Sequence, residues 1–310
     1  MTTPTFAGVI PPTMTPYTES GELDVESLER LVHSQIEGGV NGLFVLGSSG
    51  EAAFLTDEQR RVVIETVVRT AAGRIPVLAG VNDMSANRLL AQVRLAEEAG
   101  AQAIVATAPF YILPSEGEVE AHFRMLAAAT SLPMFAYDVP VRVHRKLDIG
   151  MLIRLGLDGV IVGVKDSSGD DVAFRRLVAA NRAAGSPLTL FTGHEVVVDG
   201  ALMAGADGVV PGLGNVDPHG YARMFAAAQA GDWALVRVEQ DRLAALFEIV
   251  FQAPALAGEA AGLGAFKTAL VLQGVIASNV MSRPIPRIEG DAVDSIRGIL
   301  AQVNSGLATR

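Results

Sequence analysis

Lys165 ends the apolar half of the run Gly159-Val-Ile-Val-Gly-Val-Lys165-Asp-Ser-Ser-Gly-Asp170, and lysine is scarce in this chain. Of 24 Lys and Arg residues, only Lys146, Lys165 and Lys267 are lysine. Where charge alone is needed, the sequence uses arginine. A guanidinium stays protonated, whereas a desolvated amine can lose its proton and attack a carbonyl. Lys165 is therefore read as a nucleophile able to form a Schiff base with a ketone. The competing reading is a lysine paired with Asp166 or Asp170, a task arginine would serve equally well. Lys267, in Ala265-Phe-Lys-Thr-Ala269, lies in a helical tail and reads as a packing or ion-pair residue. Lys146 stands beside Arg145 in a loop and reads as solvated.

Schiff-base chemistry needs a proton donor and acceptor while the carbonyl oxygen leaves as water. Tyr137, at the end of an apolar run, could serve, the alternative being a tyrosine that caps the core. Leu46-Gly-Ser48-Ser49-Gly50-Glu51 offers two hydroxyls and glycine-rich amides that could relay protons or hold a carboxylate, although it also reads as a plain turn. It does not fit G-x-S-x-G, and no G-K-[ST] phosphate loop occurs anywhere. The five histidines are scattered without H-x-x-x-H or H-E-x-x-H spacing, and His194-Glu195 is at most a weak metal hint, so no metal is expected. Pro211-Gly-Leu-Gly-Asn215 lacks a following basic residue and reads as a turn rather than a phosphate site. There is no cysteine, which removes disulfides, thiolate catalysis and iron–sulfur clusters.

The elements that would position these groups alternate along the chain. Strands are expected at 8–13, 42–46, 75–80, 103–107, 133–137, 159–164, 188–192 and 208–211. Helical periodicity fills the intervals at 25–37, 57–72, 85–99, 117–129, 149–155, 170–184, 196–204 and 218–230. Thr56 and Gln59 fit a capping box. Gly38-Gly39, Gly100, Gly159 and Gly205 read as helix ends before tight loops. Eight such units over about 220 residues favour a closed α/β (β/α)8 TIM barrel over an open doubly wound sheet. After about Gly231 only helices are expected, at 233–251, 263–272 and 291–303. The chain thus divides into a barrel catalytic domain at 1–230 and a C-terminal helical extension at 231–310. In a barrel, the reactive groups belong at the C-terminal strand ends, where Lys165, Tyr137 and the Ser48 turn all fall.

The 310 residues are 50% hydrophobic and 19% charged, with a net charge of −10. That balance argues against nucleic acid or an anionic membrane as partner. The N-terminal segment has no basic and apolar leader pattern, and no apolar run reaches about 18 residues, so a cytoplasmic location is the expectation.

Three motifs carry a family resemblance. They are Gly47-Ser-Ser-Gly-Glu51 followed by Leu55-Thr56, then Tyr137-Asp-Val-Pro140, then Gly163-Val-Lys165-Asp-Ser-Ser-Gly-Asp170. In this order and at these strand ends they resemble the dihydrodipicolinate synthase / N-acetylneuraminate lyase family. Weaker similarity runs from Gly8-Val-Ile to Phe266-Lys-Thr-Ala-Leu. The resemblance implies a lyase or aldolase of class I. Lys165 would form the Schiff base with a 2-keto acid such as pyruvate, with no cofactor beyond that covalent link. Tyr137 would shuttle protons. Ser49 would bridge Tyr137 to Tyr111, the latter donated across a tight-dimer interface. Ser48, Ser49 and Gly50 would hold the pyruvate carboxylate, and Val210 would line the keto-acid pocket. Arg142 would bind a carboxylate on the second substrate, an aldehyde. The family is commonly a homotetramer built as a dimer of dimers.

The departures bear on the substrate. Serines replace two threonines, Asp138 stands where the synthases usually carry Asn, and Val141-Arg-Val-His144 replaces the usual G-R-T-G. The 80–87 region differs where bacterial synthases help to form a lysine feedback site. The leading expectation is condensation of pyruvate with a carboxylate-bearing aldehyde, or its release, as in dihydrodipicolinate synthase. The alternatives are a 2-keto-3-deoxy sugar acid aldolase or dehydratase, or an N-acetylneuraminate-lyase-like enzyme. A ligand-binding barrel without turnover is disfavoured, because a binder has no use for a deprotonatable lysine. A barrel acting on a phosphorylated substrate is disfavoured by the missing basic cradle.

Overall fold

A computed structural model describes residues 6–308. Eight short strands alternate with helices: β1 (Gly8–Val9), β2 (Leu43–Val45), β3 (Val77–Val81), β4 (Ala103–Thr107), β5 (Met134–Asp138), β6 (Gly163–Asp166), β7 (Thr189–Thr192) and β8 (Gly208–Val209). They pair in parallel in the order β1-β8-β7-β6-β5-β4-β3-β2. The ring closes between β1 and β2, where Phe44 N–H donates to Pro11 O at 3.0 Å and Thr13 N–H donates to Phe44 O at 2.8 Å. This is a closed (β/α)8 barrel, as expected from the eight repeats.

The outer layer contains α1 (Val25–Glu37), α2 (Asp57–Ala71), α3 (Ala86–Glu98) and α4 (Glu116–Ala127). It continues with a single turn α5 (Pro140–Val143), then α6 (Ile149–Leu157), α7 (Asp171–Ala183), α8 (Val198–Ala204) and α9 (Pro218–Gln229). The Thr56 capping box is formed, with Gln59 N–H bonded to Thr56 Oγ1 and Thr56 N–H to Gln59 Oε1. The chain then adds α10 (Trp233–Phe247), α11 (Glu259–Leu272) and α12 (Asp291–Ala308). α10 lies on α8 and α9, α11 on the 3₁₀ turns at 212–215 and 248–251, and α12 on α10 and α11.

Among the strands whose bounds differ from expectation, two do so for reasons visible in the chain. β1 stops at Val9 because Pro11 and Pro12 have no N–H to continue a ladder. β6 starts at Gly163, not Gly159. Gly159 takes φ +69°, and the N–H groups of Val160 and Ile161 still bond back to Leu155 at the end of α6. Residues 159–161 therefore close the helix, Val162 N–H already bonds to Met134 O of β5 at 2.8 Å, and Lys165 lies within the strand. Gly163 is needed at its start, since a Cβ there would lie 2.4 Å from the ring of Phe135. That ring is part of an aromatic core with Phe6 and Phe191, at centroid distances of 5.3 and 5.8 Å.

Candidate active site

The β5–β6 register sets Tyr137 beside Lys165 and Asp138 beside Asp166. Alternation along a strand sends the first pair to one face and the second to the other. The Lys165 side chain is buried at 5% exposure, with Nζ 3.9 Å from the Tyr137 ring centroid and 4.7 Å from that of Phe44. Among the described residues, Lys165 alone of the three lysines has no ion-paired carboxylate. Asp166 is paired with Lys146, and Asp170 caps α7 by accepting from Ala173 N–H at 2.8 Å. Neither acid is available to explain Lys165 as a salt-bridge residue.

Lys146 is not the solvated loop lysine that its neighbours suggested. Its Nζ donates to Asp166 Oδ2 at 2.8 Å and also to Asp138 Oδ2. Two carboxylates on adjacent strands would repel at this spacing, and the ammonium between them cancels that repulsion. Burial raises the Asp138 carboxyl to about 6, against the pull of Lys146. The cluster holds the C-terminal ends of β5 and β6 in the register that sets Tyr137 against Lys165.

Tyr137 is enclosed. Burial would push its phenol up, but the charge of Lys165 and hydrogen bonds with Ser167, Ser48 and Lys165 outweigh it, and the phenol lies below its ordinary value. Ser48 is therefore the turn serine at the phenol. Ser49, the serine expected there, makes no hydrogen bond to the phenol among the described residues. Ser167, in the turn after β6, is a site residue absent from the sequence candidates. A Cβ on Gly193 would lie 2.1 Å from Ser167 Oγ, so the glycine after β7 makes room for it.

Gly50 N–H closes the turn on Gly47 O at 3.1 Å and cannot serve a ligand in that state. Among the described residues, the amides of Ser48 and Ser49 donate to no protein acceptor. Val210 is buried just after β8, its N–H bonded to Thr192 O at 2.8 Å. Tyr111 is 84% exposed, next to exposed Ile112 and Leu113. His144 is also exposed, in a left-handed conformation at the end of α5.

A cavity of about 630 Å³ opens over the centre, with Tyr137 and Ser48 in its wall. Lys165 is not part of that wall, so a substrate meets Tyr137 and Ser48 first. Arg142 lines the cavity too, but its guanidinium is bonded to Glu259 of α11 at 2.6 Å.

Glu195 enters the site electrostatically. Part of the residue stays open, but its carboxyl is enclosed and accepts from Leu213 N–H at 2.6 Å. Burial raises it to about 7, against the amides of Leu213 and Gly212 and the charges of Lys165 and His194. A carboxyl that is more basic folded than unfolded binds extra protons between its two pKa values, so stability falls as pH rises through that window. Between about pH 4.5 and 7, Glu195→Gln is expected to lose less thermal stability than the wild type. Thermal unfolding across that range checks this. Asp138 titrates in both proteins, and a parallel decline would show that Glu195 is not the source.

A closed barrel with a buried lysine in β6 facing a tyrosine of β5 defines a scaffold for Schiff-base lyase chemistry. The chain belongs to the dihydrodipicolinate synthetase family, whose pattern matches residues 5–303. A 4-hydroxy-tetrahydrodipicolinate synthase of Phenylobacterium zucineum is 37% identical over 253 residues, covering 81% of this chain and 84% of its own. One from Desulfotalea psychrophila is 31% identical over 303 residues, covering 96% and 97%. Among solved structures, Thermotoga maritima dihydrodipicolinate synthase superposes with a TM-score of 0.88 at 29% identity, covering 96% of this chain and 99% of that one. YagE, an E. coli K12 prophage protein of the same family in complex with pyruvate, gives 0.89 at 26%, covering 96% and 99%. Family membership assigns class I Schiff-base lyase or aldolase chemistry in general. No helix among the described residues is long and apolar enough to cross a membrane.

Proposed function

We propose that the protein is a Schiff-base lyase that joins pyruvate, or a longer 2-keto acid, to an aldehyde, or releases it. The single observation carrying this reading is Lys165: buried, without a carboxylate partner, and against the phenol of Tyr137. In the proposed sequence the Nζ lone pair attacks the keto carbon. The carbonyl electrons move onto oxygen, which takes two protons by way of Tyr137, one of them given up by the attacking nitrogen, and leaves as water. The resulting iminium accepts the electrons of C3 when a C3–H or C3–C4 bond breaks, giving the enamine that adds to, or is released from, the aldehyde. Hydrogen bonding from Ser48 and Ser167 supports the shuttle role of Tyr137 by stabilising its phenolate. The free amides of Ser48 and Ser49 suit the keto-acid carboxylate, with Val210 as an apolar contact.

The family member YagE, solved in complex with pyruvate, supports pyruvate as the first substrate. The expected carboxylate on the aldehyde rested on Arg142, and the Arg142–Glu259 pair weighs against it. The exposed Tyr111-Ile-Leu113 segment supports association of subunits, the homotetramer being the proposed form, with Tyr111 completing a partner's site. The test is reductive trapping. Pyruvate and borohydride should add one pyruvate-derived mass per chain, located by peptide mapping at Lys165. Absence of an adduct overturns the reading.

A further inference from the structure

Arg142 and Glu259 come from distant parts of the chain. Arg142 lies on the one-turn helix α5 that follows β5, and Glu259 is the first residue of α11 in the C-terminal extension. Their 2.6 Å contact stands in the wall of the cavity that also contains Tyr137 and Ser48. Both partners are partly exposed, so the pair adds little to stability. Its weight lies in the charge it leaves for a ligand.

We infer that Glu259 is a specificity-determining residue: by occupying Arg142 it selects a second reactant whose far end carries no carboxylate. The inference rests on the Schiff-base reading above. A carboxylate arriving at Arg142 would have to displace Glu259. It would exchange one charge-assisted contact for another and leave Glu259 beside it as a like charge. No net attraction remains to draw an anion there.

The rest of the wall does not supply one. Arg88 is bonded at 2.7 Å to Asp83, which lines the same cavity. Arg60 is buried, with Nε and one Nη on the carbonyls of Leu55 and Ala52, and its other Nη, which has no partner, is itself buried and out of reach of a ligand in the cavity. Much of the remaining surface comes from Phe54, Leu55, Met84, Phe110, Val139 and Val143. An apolar or aromatic body gains about 25 cal/mol per Å² of surface buried against such side chains. A polyhydroxylated chain would lose hydrogen bonds to water there and recover them only where it met Asn82, Ser85 or Thr107. The substrate class is therefore an aldehyde, or the longer 2-keto acid made from it, with an uncharged apolar or aromatic tail.

Reductive trapping tests this without requiring turnover. The full chain is titrated with 2-oxohexanoate and 2-oxoadipate, of equal chain length but differing in a distal carboxylate, with pyruvate as reference. The wild type should be half-trapped by 2-oxohexanoate at a concentration on the order of tenfold lower than by 2-oxoadipate. Glu259→Gln should move that ratio toward 2-oxoadipate by a similar factor, and adding Arg142→Ala should move it back. A wild type that traps both acids equally, or a Glu259→Gln ratio that does not move, overturns the assignment. If not even pyruvate is trapped, the Schiff-base reading itself fails and takes this assignment with it.

Discussion

Lys165→Arg is expected to fold, to keep a cation against the rings of Phe44 and Tyr137, and to form no adduct with pyruvate. The cation–π contacts at 3.9 and 4.7 Å need only positive charge, which arginine supplies. The chemistry needs a neutral amine, which arginine cannot provide at any working pH. Turnover should therefore fall by roughly 10⁴-fold or more, as when the nucleophile is removed from an enzyme that forms a covalent intermediate. Lys165→Ala should give the same loss and guards against the bulk of the guanidinium disturbing the strand. The other lysines are poor substitutes. Lys146 is bound by Asp138 and Asp166, and Lys267 by Glu51 and the Val280 carbonyl. Intact-mass measurement after borohydride treatment reads the outcome. An adduct of undiminished yield in either variant would assign the chemistry to another amine.

The barrel was legible in the sequence because each repeat carries its own local signals. A capping residue opens many of the helices, a glycine closes several, and an apolar run follows. Edges were lost where local chemistry overrides periodicity, as at Pro11-Pro12 and at the Gly159 turn. Lys165 and Tyr137 were legible because both depend on strand position and residue scarcity. The contacts around them were not. Lys146 finds Asp138 and Asp166 only once β5 and β6 lie side by side, a pairing that sequence neighbours cannot reveal. Ser48 and Ser49 are adjacent hydroxyls, and only the turn conformation, with Leu46 at φ 58° and Glu51 at φ 53°, decides which faces the phenol. Arg142 read as a free cation because its partner lies 117 positions away, ahead of the helix expected at 263–272.

The second large effect is expected at Lys267, whose partner Glu51 borders the cavity. Lys267 and Glu51 are both fully buried and ion-paired. Glu51 also accepts Ser282 N–H at 2.7 Å, and Lys267 donates to Val280 O at 2.9 Å beneath the ring of Tyr17. Tyr17 in turn accepts from Ser282 Oγ at 2.8 Å. The network thus joins α11, the segment before α12 and the loop after β1 to the turn that carries Ser48. Burial pushes the Lys267 ammonium toward its neutral form, and Glu51 opposes that. Lys267→Met would leave the Glu51 carboxylate buried without a counter-charge, at a cost of about 3–5 kcal/mol. That corresponds to a fall in Tm on the order of 10 °C. Lys267→Met with Glu51→Gln removes both charges while keeping an acceptor for Ser282. It should recover a large part of the lost stability, because a buried pair replaced as a unit is often nearly neutral. Activity separates the two roles of the network. If the pair also fixes the turn, the double variant should unfold near the wild-type temperature yet form its pyruvate adduct more slowly, since Ser48 depends on the Glu51 backbone for its place. A double variant no more stable than Lys267→Met alone would mean that the loss comes from the lysine stem and its packing, not from the stranded charge.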